Sequence, residues 1–465
     1  MKNLIKNVLG TKLLKFIRPF GHGIKGYIAS LINFFPARKL KIIAITGTKG
    51  KTSTVVTTGR LLNQLGYKAG YISTALINYG KEEEINNTKM SSVDAFYMQK
   101  LLKQMVKNGC KYLVVEMSSQ GLEQNRQAGL FGFDIAMFLN IYPEHIEAHG
   151  SYDKYLKAKA KIFKHLRKGG QAIVTGLIEF SKETETIKSK YIKQGTKVIE
   201  IDRSTYEVVS DNGSQFKAIK IKDIKVDSKY DDIVYKTNFV ADFEIENLAF
   251  AIKAVDSITS DKYFYQKLSN PLKAIYGIPG RLEYVVKNNR ILSTQISIDQ
   301  PKGKVIDIMI DYAHETGSME KFLKTLSDWK TSGIYDTIIH IVSCDGVGRD
   351  DWKKPILGDI SRKYSDYIFV TTDNYGQKDD PNKIIELITK NYGKEYLNQN
   401  YFVDIDRKES MINALKKAQD LLNHTDSKKI IIVSTGVGTE QGLTQPTGQM
   451  RWDEKTIWEM IYSNY

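Results

Sequence analysis

Residues 41–53 read KIIAITGTKGKTS: an apolar run enters a glycine-containing turn and leaves it as a helix-forming segment. That order of strand, loop and helix commits this part of the chain to an α/β sheet with an anion-binding turn at the carboxyl end of a strand. Gly47 and Gly50 let backbone N–H groups approach phosphate oxygens closely. Thr48 and Lys49 complete the turn, Lys51 has the reach to meet β- and γ-phosphates, and Thr52 or Ser53 offers a hydroxyl to Mg2+. The spacing departs from the usual Walker A pattern, which places a glycine six positions before the lysine. Ile45 occupies that position, and the first glycine is Gly47.

Beyond the loop the pattern repeats. The apolar runs KIIAIT, AGYIST, YLVVEM, DIAMFLNI and QAIVTG alternate with helix-like stretches such as 55–65 and 96–107, which indicates a parallel α/β sheet. Residues 195–240 differ, being short alternating pieces rich in Asp, Ser and Lys, and read as an antiparallel section attached to that sheet. A helix is expected over 247–258. GIPGR at 277–281 is the best linker, and after it VIDIMID, TIIHIVS, YIFVTT and KIIIVST form a second series, with helices over 318–329 and 383–391. The expected architecture is α/β: a basic amphipathic extension over 1–39, a central nucleotide-binding domain with a mostly parallel sheet over 40–279, and a Rossmann-like α/β domain over 280–465. A cleft between the two domains is the expected substrate site.

The chain has 465 residues, 42% apolar and 26% charged, with a net charge of +15. A basic balance favours anionic partners, yet no aromatic and basic platform for nucleic acid is present, so nucleic acid is not an expected partner. Cys110 and Cys344 lie beside apolar runs, which suits a reducing compartment without disulfides. No Cys/His spacing typical of a structural metal site occurs. Residues 1–35 are basic and apolar, but their longest apolar part, 27–35, is too short to span a bilayer. No signal-peptide cleavage pattern is present. Two readings stand: a helical extension packed on the next domain, or an interfacial amphipathic helix with Lys12, Lys15, Arg18 and Lys25 beside Phe16, Phe20 and Tyr27.

Three further groups carry chemistry. Glu116 ends the run YLVVE, where an acidic side chain reaches the ligand crevice of an open α/β sheet or caps the following loop. Asn140, His145 and His149 follow another strand end, and His145 is a candidate metal ligand. The segment SYDKYLKAKAKIFKHL reads as one helix. At about 100° per residue, Lys159 falls inside its apolar stripe while Lys157 and Lys161 fall opposite. A buried lysine must be paired, neutral or modified, and carbamylation by CO2 would turn this cation into an anion able to bind metal.

Together the blocks TGTKGKTS, EMSSQGL, NIYPEHIEAHGSYDKYLKAK, ENLAFAI, GIPGRLE, DYAHETGSMEKFL and CDGVGRDDWKKP resemble the Mur ligase family, ATP-dependent amide ligases of peptidoglycan synthesis. SSQGL, EHIEAHG, DYAH and GRDDWKKP look most like the UDP-N-acetylmuramyl-tripeptide synthetase branch. In that family the shortened loop is itself the pattern. The resemblance implies ATP phosphates at Gly47–Ser53, Mg2+ at Thr52, Glu116 and His145, and a carbamylated Lys159 supporting a second Mg2+. It also implies nucleotide contacts by Asn247, Arg281, Asp311 and His314, and acceptor contacts by Ser118, Ser119 and Arg126. Arg349, Asp373, Asn374 and Glu440 fall on the incoming amino acid's side. The implied catalytic set is Lys51, Lys159, Glu116 and His145. The expected partners are a muramyl-peptide-like acceptor and an amino acid, for a cytoplasmic monomer, with peripheral contact at the inner membrane face if the basic start is interfacial.

Three departures accompany the match. Only about 40 residues precede the loop, too few for the family's usual UDP-binding domain. The Asp-Asn-Pro-Arg motif of diaminopimelate enzymes reads Asp373-Asn374-Tyr375-Gly376-Gln377, without the arginine. The Gly-Lys-Gly-His-Glu motif reads Gly436-Val437-Gly438-Thr439-Glu440. A folylpolyglutamate or poly-γ-glutamate type ligase, which shares the loop and the lysine helix, and a non-catalytic nucleotide-binding scaffold are the alternatives.

Overall fold

A computed structural model of the chain describes residues 19–464 apart from 89, 145, 211–214, 223–232, 298–299, 301–302 and 347–349. The chain divides into two compact units, the first ending at Tyr276 and the second starting at Gly277.

The first unit is built on an eight-stranded sheet. Its strands are β1 (Lys41–Thr46), β2 (Ala69–Ile72), β3 (Leu76–Asn78), β4 (Glu83–Ile85), β5 (Tyr112–Glu116), β6 (Phe133–Phe138), β7 (Leu166–Thr175) and β8 (Lys197–Ile201). The order is β4-β3-β2-β5-β1-β6-β7-β8. Strands β2, β5, β1, β6, β7 and β8 run parallel, and β3 and β4 form an antiparallel edge. Every residue of β1 after Lys41 is buried, as expected for a central parallel strand covered on both faces. Ile45 lies in register with Glu116 and Thr46 with Phe138, so three adjacent strand ends deliver their loops to one edge. The helix Lys51–Gln64 leaves the turn from Gly50, whose φ of 76° suits glycine.

The antiparallel section is not attached to this sheet as expected. Lys197–Ile201 joins it as a parallel strand, whereas β9 (Tyr206–Ser210), β10 (Lys217–Ile221) and β11 (Val234–Lys236) form a separate three-stranded sheet. The helix expected over 247–258 spans Asp242–Thr259. Glu244 starts it early by accepting the N–H groups of Val240 and Ala241, a carboxylate cap on the first turn. The lysine helix is shorter than read: Tyr152–Ala160 is α-helical and Lys161–His165 tightens into a 3-10 turn.

The second unit carries β12 (Glu283–Lys287), β13 (Arg290–Ile291), β14 (Val305–Asp311), β15 (Thr337–Val342), β16 (Tyr367–Val370), β17 (Tyr401–Val403) and β18 (Lys429–Thr435). They make one sheet in the order β13-β12-β14-β18-β15-β16-β17. The strands from β14 onward are parallel and β12 and β13 are antiparallel. His340 sits within β15, fully buried, with ring nitrogens 2.7 Å from Ser361 Oγ and 2.9 Å from Thr435 Oγ1. Burial, aided by the Arg407 cation, pushes its pKa down to about 3.

That shift fixes a sign. Between about pH 3 and the ordinary histidine value of about 6.5 the unfolded chain binds the proton and the folded chain does not. Stability is therefore fully present above that ordinary value and falls with acidification, by about 1.4 kcal/mol per pH unit. All four tryptophans belong to the second unit, so their fluorescence reports its unfolding. In urea titrations, His340→Gln should lose less stability than the parent between pH 7 and pH 5, by about 2 kcal/mol. An unchanged pH dependence would remove the assignment.

Candidate functional site

The turn after β1 is held by groups from two neighbouring segments. Asn140, just beyond β6, accepts the N–H of Thr48 at 3.1 Å and of Lys49 at 2.9 Å, and donates to the Lys49 carbonyl at 3.2 Å. The Thr48 hydroxyl lies 3.1 Å from the Tyr155 hydroxyl and accepts the N–H of Tyr142. Lys49 pairs with Glu144 at 2.5 Å. The Lys51 amine donates to the Thr48 carbonyl at 2.9 Å. Ser53 lies half-buried in the first turn of the following helix. Asn247, on the helix Asp242–Thr259, accepts from the Thr54 hydroxyl at 3.3 Å. A Cβ at Gly50 would lie 2.2 Å from its Oδ1, so Asn247 and the loop are packed as one piece.

Beneath this loop lies Lys159, with 2% of the residue exposed. Its amine donates to the carbonyl of Gly47 and sits 4.5 Å from the centre of the Tyr155 ring. Burial first, then the neighbouring Lys51 cation, hold its pKa well below the ordinary lysine value, against the opposing carboxylates of Glu144 and Glu116. Lys157 is exposed and Lys161 half-buried.

Glu116 is buried at the end of β5. One of its oxygens accepts from the Thr52 hydroxyl and from the Thr74 N–H, both at 2.9 Å. Among the described residues no basic side chain lies within ion-pair distance of it. A buried carboxylate beside a hydroxyl is a hard-oxygen pair of the kind Mg2+ takes, with phosphate and water oxygens completing the shell. The described residues bring no group of three acidic, histidine or cysteine side chains together, and His145 lies outside them.

The acceptor candidates gather nearby. Ser118 caps the turn at Ser119–Glu123 by accepting the Gly121 N–H, and its hydroxyl is 3.4 Å from that of Ser92. Arg126 donates to the Ser92 carbonyl and to Gln124. Ser119 is turned away, to His149 Nε2 at 3.0 Å, which makes His149 a brace between segments. In the second unit, Asn374 donates to Glu440 at 3.2 Å, and the Tyr312 hydroxyl donates to the same carboxylate at 3.2 Å. The Arg281 guanidinium lies 4.6 Å from the centre of the Tyr312 ring. Asp311 accepts the N–H groups of Leu282 and Ala313, and His314 Nδ1 lies 2.7 Å from the Tyr312 carbonyl oxygen. Asp373 accepts from Ser343, while burial and the Asp345 carboxylate push it up to about 7. Arg349 lies outside the described residues.

The Mur ligase middle domain family matches residues 45–255, and the Mur ligase glutamate ligase domain family matches residues 298–434. The chain belongs to the Mur ligase family. A UDP-N-acetylmuramoyl-L-alanyl-D-glutamate–2,6-diaminopimelate ligase of Rickettsia bellii is 30% identical over 84% of this chain and 76% of its own length. A UDP-N-acetylmuramyl-tripeptide synthetase of Borreliella afzelii is 27% identical over 95% of this chain and 81% of its own. Among solved structures, Mycobacterium tuberculosis folylpolyglutamate synthase, complexed with ADP and AMPPCP, shares the fold with a TM-score of 0.66 at 14% identity. That match covers 93% of this chain and 96% of the other.

Several residues around the candidate sites of this Mur ligase carry little signal in the sequence. Asn140 is legible as a polar residue at a strand end, but its grip on the loop is not. Tyr155, Ser92 and Tyr312 gave no signal, because an aromatic or hydroxyl side chain within a helix or loop reads as ordinary packing. Gly50 offers a direct test of the loop. Gly50→Ala would place a methyl against Asn247 and hold alanine in a left-handed conformation costing about 1 kcal/mol. Calorimetric titration with ADP should show affinity at least tenfold weaker, with an unchanged circular dichroism spectrum. Parent-like affinity would mean that the loop does not cradle the nucleotide.

Proposed function

We propose that this Mur ligase joins an amino acid to the carboxylate of a muramyl-peptide-like acceptor at the expense of ATP, releasing ADP and phosphate, in peptidoglycan precursor synthesis. The observation that carries the reading is the buried Lys159 amine on the Gly47 carbonyl of the loop, under the influence of the Glu116 carboxylate that accepts from Thr52. A non-catalytic scaffold has no use for a lysine held in so costly a place. The strings EMSSQGL and EHIEAHG favour the muramyl branch over a folylpolyglutamate type ligase.

In the proposed reaction an acceptor carboxylate oxygen attacks the γ-phosphorus of ATP, the bond to the β–γ bridging oxygen breaks, and ADP leaves. The amine of the incoming amino acid then attacks the acyl phosphate carbon. The tetrahedral intermediate expels phosphate, the nitrogen loses its proton, and an amide remains. The loop N–H groups hold the phosphates in line, and Lys51 exchanges its internal bond to Thr48 for the transferring phosphate. Ser118 and Arg126 hold the acceptor. In the second unit, Glu440 with Asn374 and Asp373 receives the ammonium group of the amino acid. Thr52 and Glu116 would hold Mg2+, which supplies positive charge against the phosphate oxygens. Burial and the Lys51 cation favour the neutral amine of Lys159, the form that adds CO2; a carbamate there would carry negative charge and offer a further oxygen to Mg2+.

Two measurements test this. With acceptor carboxylate labelled with oxygen-18, one label should appear in the released phosphate; unlabelled phosphate would contradict the acyl phosphate. Lys159→Ala should lower ligation at least a hundredfold with the fold intact, and short carboxylic acids should restore part of it. Full activity in that variant would refute the carbamate role.

A further inference from the structure

The first 40 residues contain eight Lys and Arg and no Asp or Glu, more than half of the chain's net charge of +15. The structure describes a helix over 19–32 within this stretch. It packs on the first unit through small residues: Gly26, Ala29 and Ser30 are buried. The Ser30 hydroxyl donates to the carbonyls of Gly26 at 2.8 Å and Gly129 at 3.1 Å. A Cβ at Gly26 would lie 2.9 Å from the Gly129 nitrogen, so the two backbones are close to contact.

Large apolar residues take the opposite face. Phe20, Ile24, Tyr27, Ile28, Leu31 and Ile32 are 43% to 73% exposed. At about 100° per residue they fall within an arc of roughly 140°. A helix on the surface of a globular protein turns its large apolar residues inward; this one does the reverse. The apolar area continues through Phe34, 78% exposed, and Phe96. Its rim is basic. Lys103 lies 5.7 Å from the centre of the Phe34 ring, and Lys25, which also pairs with Asp94, lies 5.7 Å from that of Phe96.

We propose that this face lies on an anionic lipid bilayer. The apolar row enters the boundary between headgroups and acyl chains, and the basic side chains at its rim, Lys25 and Lys103, with the exposed Arg38 and Lys39, meet the headgroup phosphates. Charge complementarity decides the occupant. A second copy pairing through the same face would set two acid-free basic stretches against each other, which like-charge repulsion opposes. Among the described residues no helix is long and apolar enough to cross a membrane, so contact through one face of the helix is the mode these residues offer.

The test is co-sedimentation of the full chain with vesicles of phosphatidylcholine alone and of phosphatidylcholine with phosphatidylglycerol, at low and high salt. Two variants accompany it. Ile24→Asn, Ile28→Asn and Leu31→Asn together alter the outward face and spare the buried stripe. Lys12→Glu, Lys15→Glu and Arg18→Glu together alter charge in the sequence that precedes the described helix. The full chain should pellet with the phosphatidylglycerol vesicles and release in high salt. Each variant should bind at least tenfold less, with unchanged circular dichroism and elution volume. The proposal is overturned if the full chain stays in the supernatant, if neutral and anionic vesicles bind equally, or if both variants pellet like the parent. It is also overturned if the parent is a dimer that the outward-face variant converts to a monomer without any vesicle binding. Vesicle binding that appears only after residues 1–18 are deleted would overturn it too, since that segment would then be the occupant.

Discussion

The Lys159 amine donates to the Gly47 carbonyl from a place closed to water. Burying a charged amine costs several kcal/mol unless it is matched by an anion or gives up its proton. Here two cations, Lys51 and Lys49, oppose a charge on it and two carboxylates favour one, with desolvation the largest influence. The surroundings are arranged to suit that amine. Tyr155, one turn earlier, lays its ring beside Lys159 and its hydroxyl on Thr48. Asn140 fixes the loop from the other side. The register of β1 with β5 and β6 places Glu116 and Asn140 at the two neighbouring strand ends. The geometry of the phosphate turn is thus set by side chains far apart in sequence.

Parts of this were legible in the chain alone. The repeated runs indicated α/β units because parallel strands are buried on both faces and read as continuous apolar stretches. The place of Lys159 followed from helical periodicity, which the first turns of Tyr152–Ala160 obey. The antiparallel section was misplaced because alternation identifies a half-buried strand and says nothing of which sheet it joins. Lys197–Ile201 also alternates in character, yet it continues the parallel sheet beside β7. The bracing by Asn140, Tyr155 and Tyr312 depends on tertiary proximity, which no local pattern encodes. The inverted helix over 19–32 was half visible: its basic and apolar content could be read, but which face packs inward depends on Gly129, about a hundred residues later.

The second unit carries the departures from the family pattern. Where an Asp-Asn-Pro-Arg motif would bring a guanidinium, Asn374 instead donates to Glu440, and Tyr312 donates to the same carboxylate. Asp373 is buried beside Ser343 and Asp345. Arg407 donates to the same Ser343 hydroxyl, so the carboxylates of this corner stand beside a buried guanidinium.

The central claim is that the loop, Lys159 and Glu116 serve amide ligation. It is tested most directly by ADP release from the purified chain with ATP and Mg2+, across a panel of amino acids, using UDP-linked and UDP-free muramyl dipeptides as acceptors. The account predicts ADP release that requires both an acceptor and an amino acid. ATP turnover indifferent to both, or none with any pairing, would contradict it.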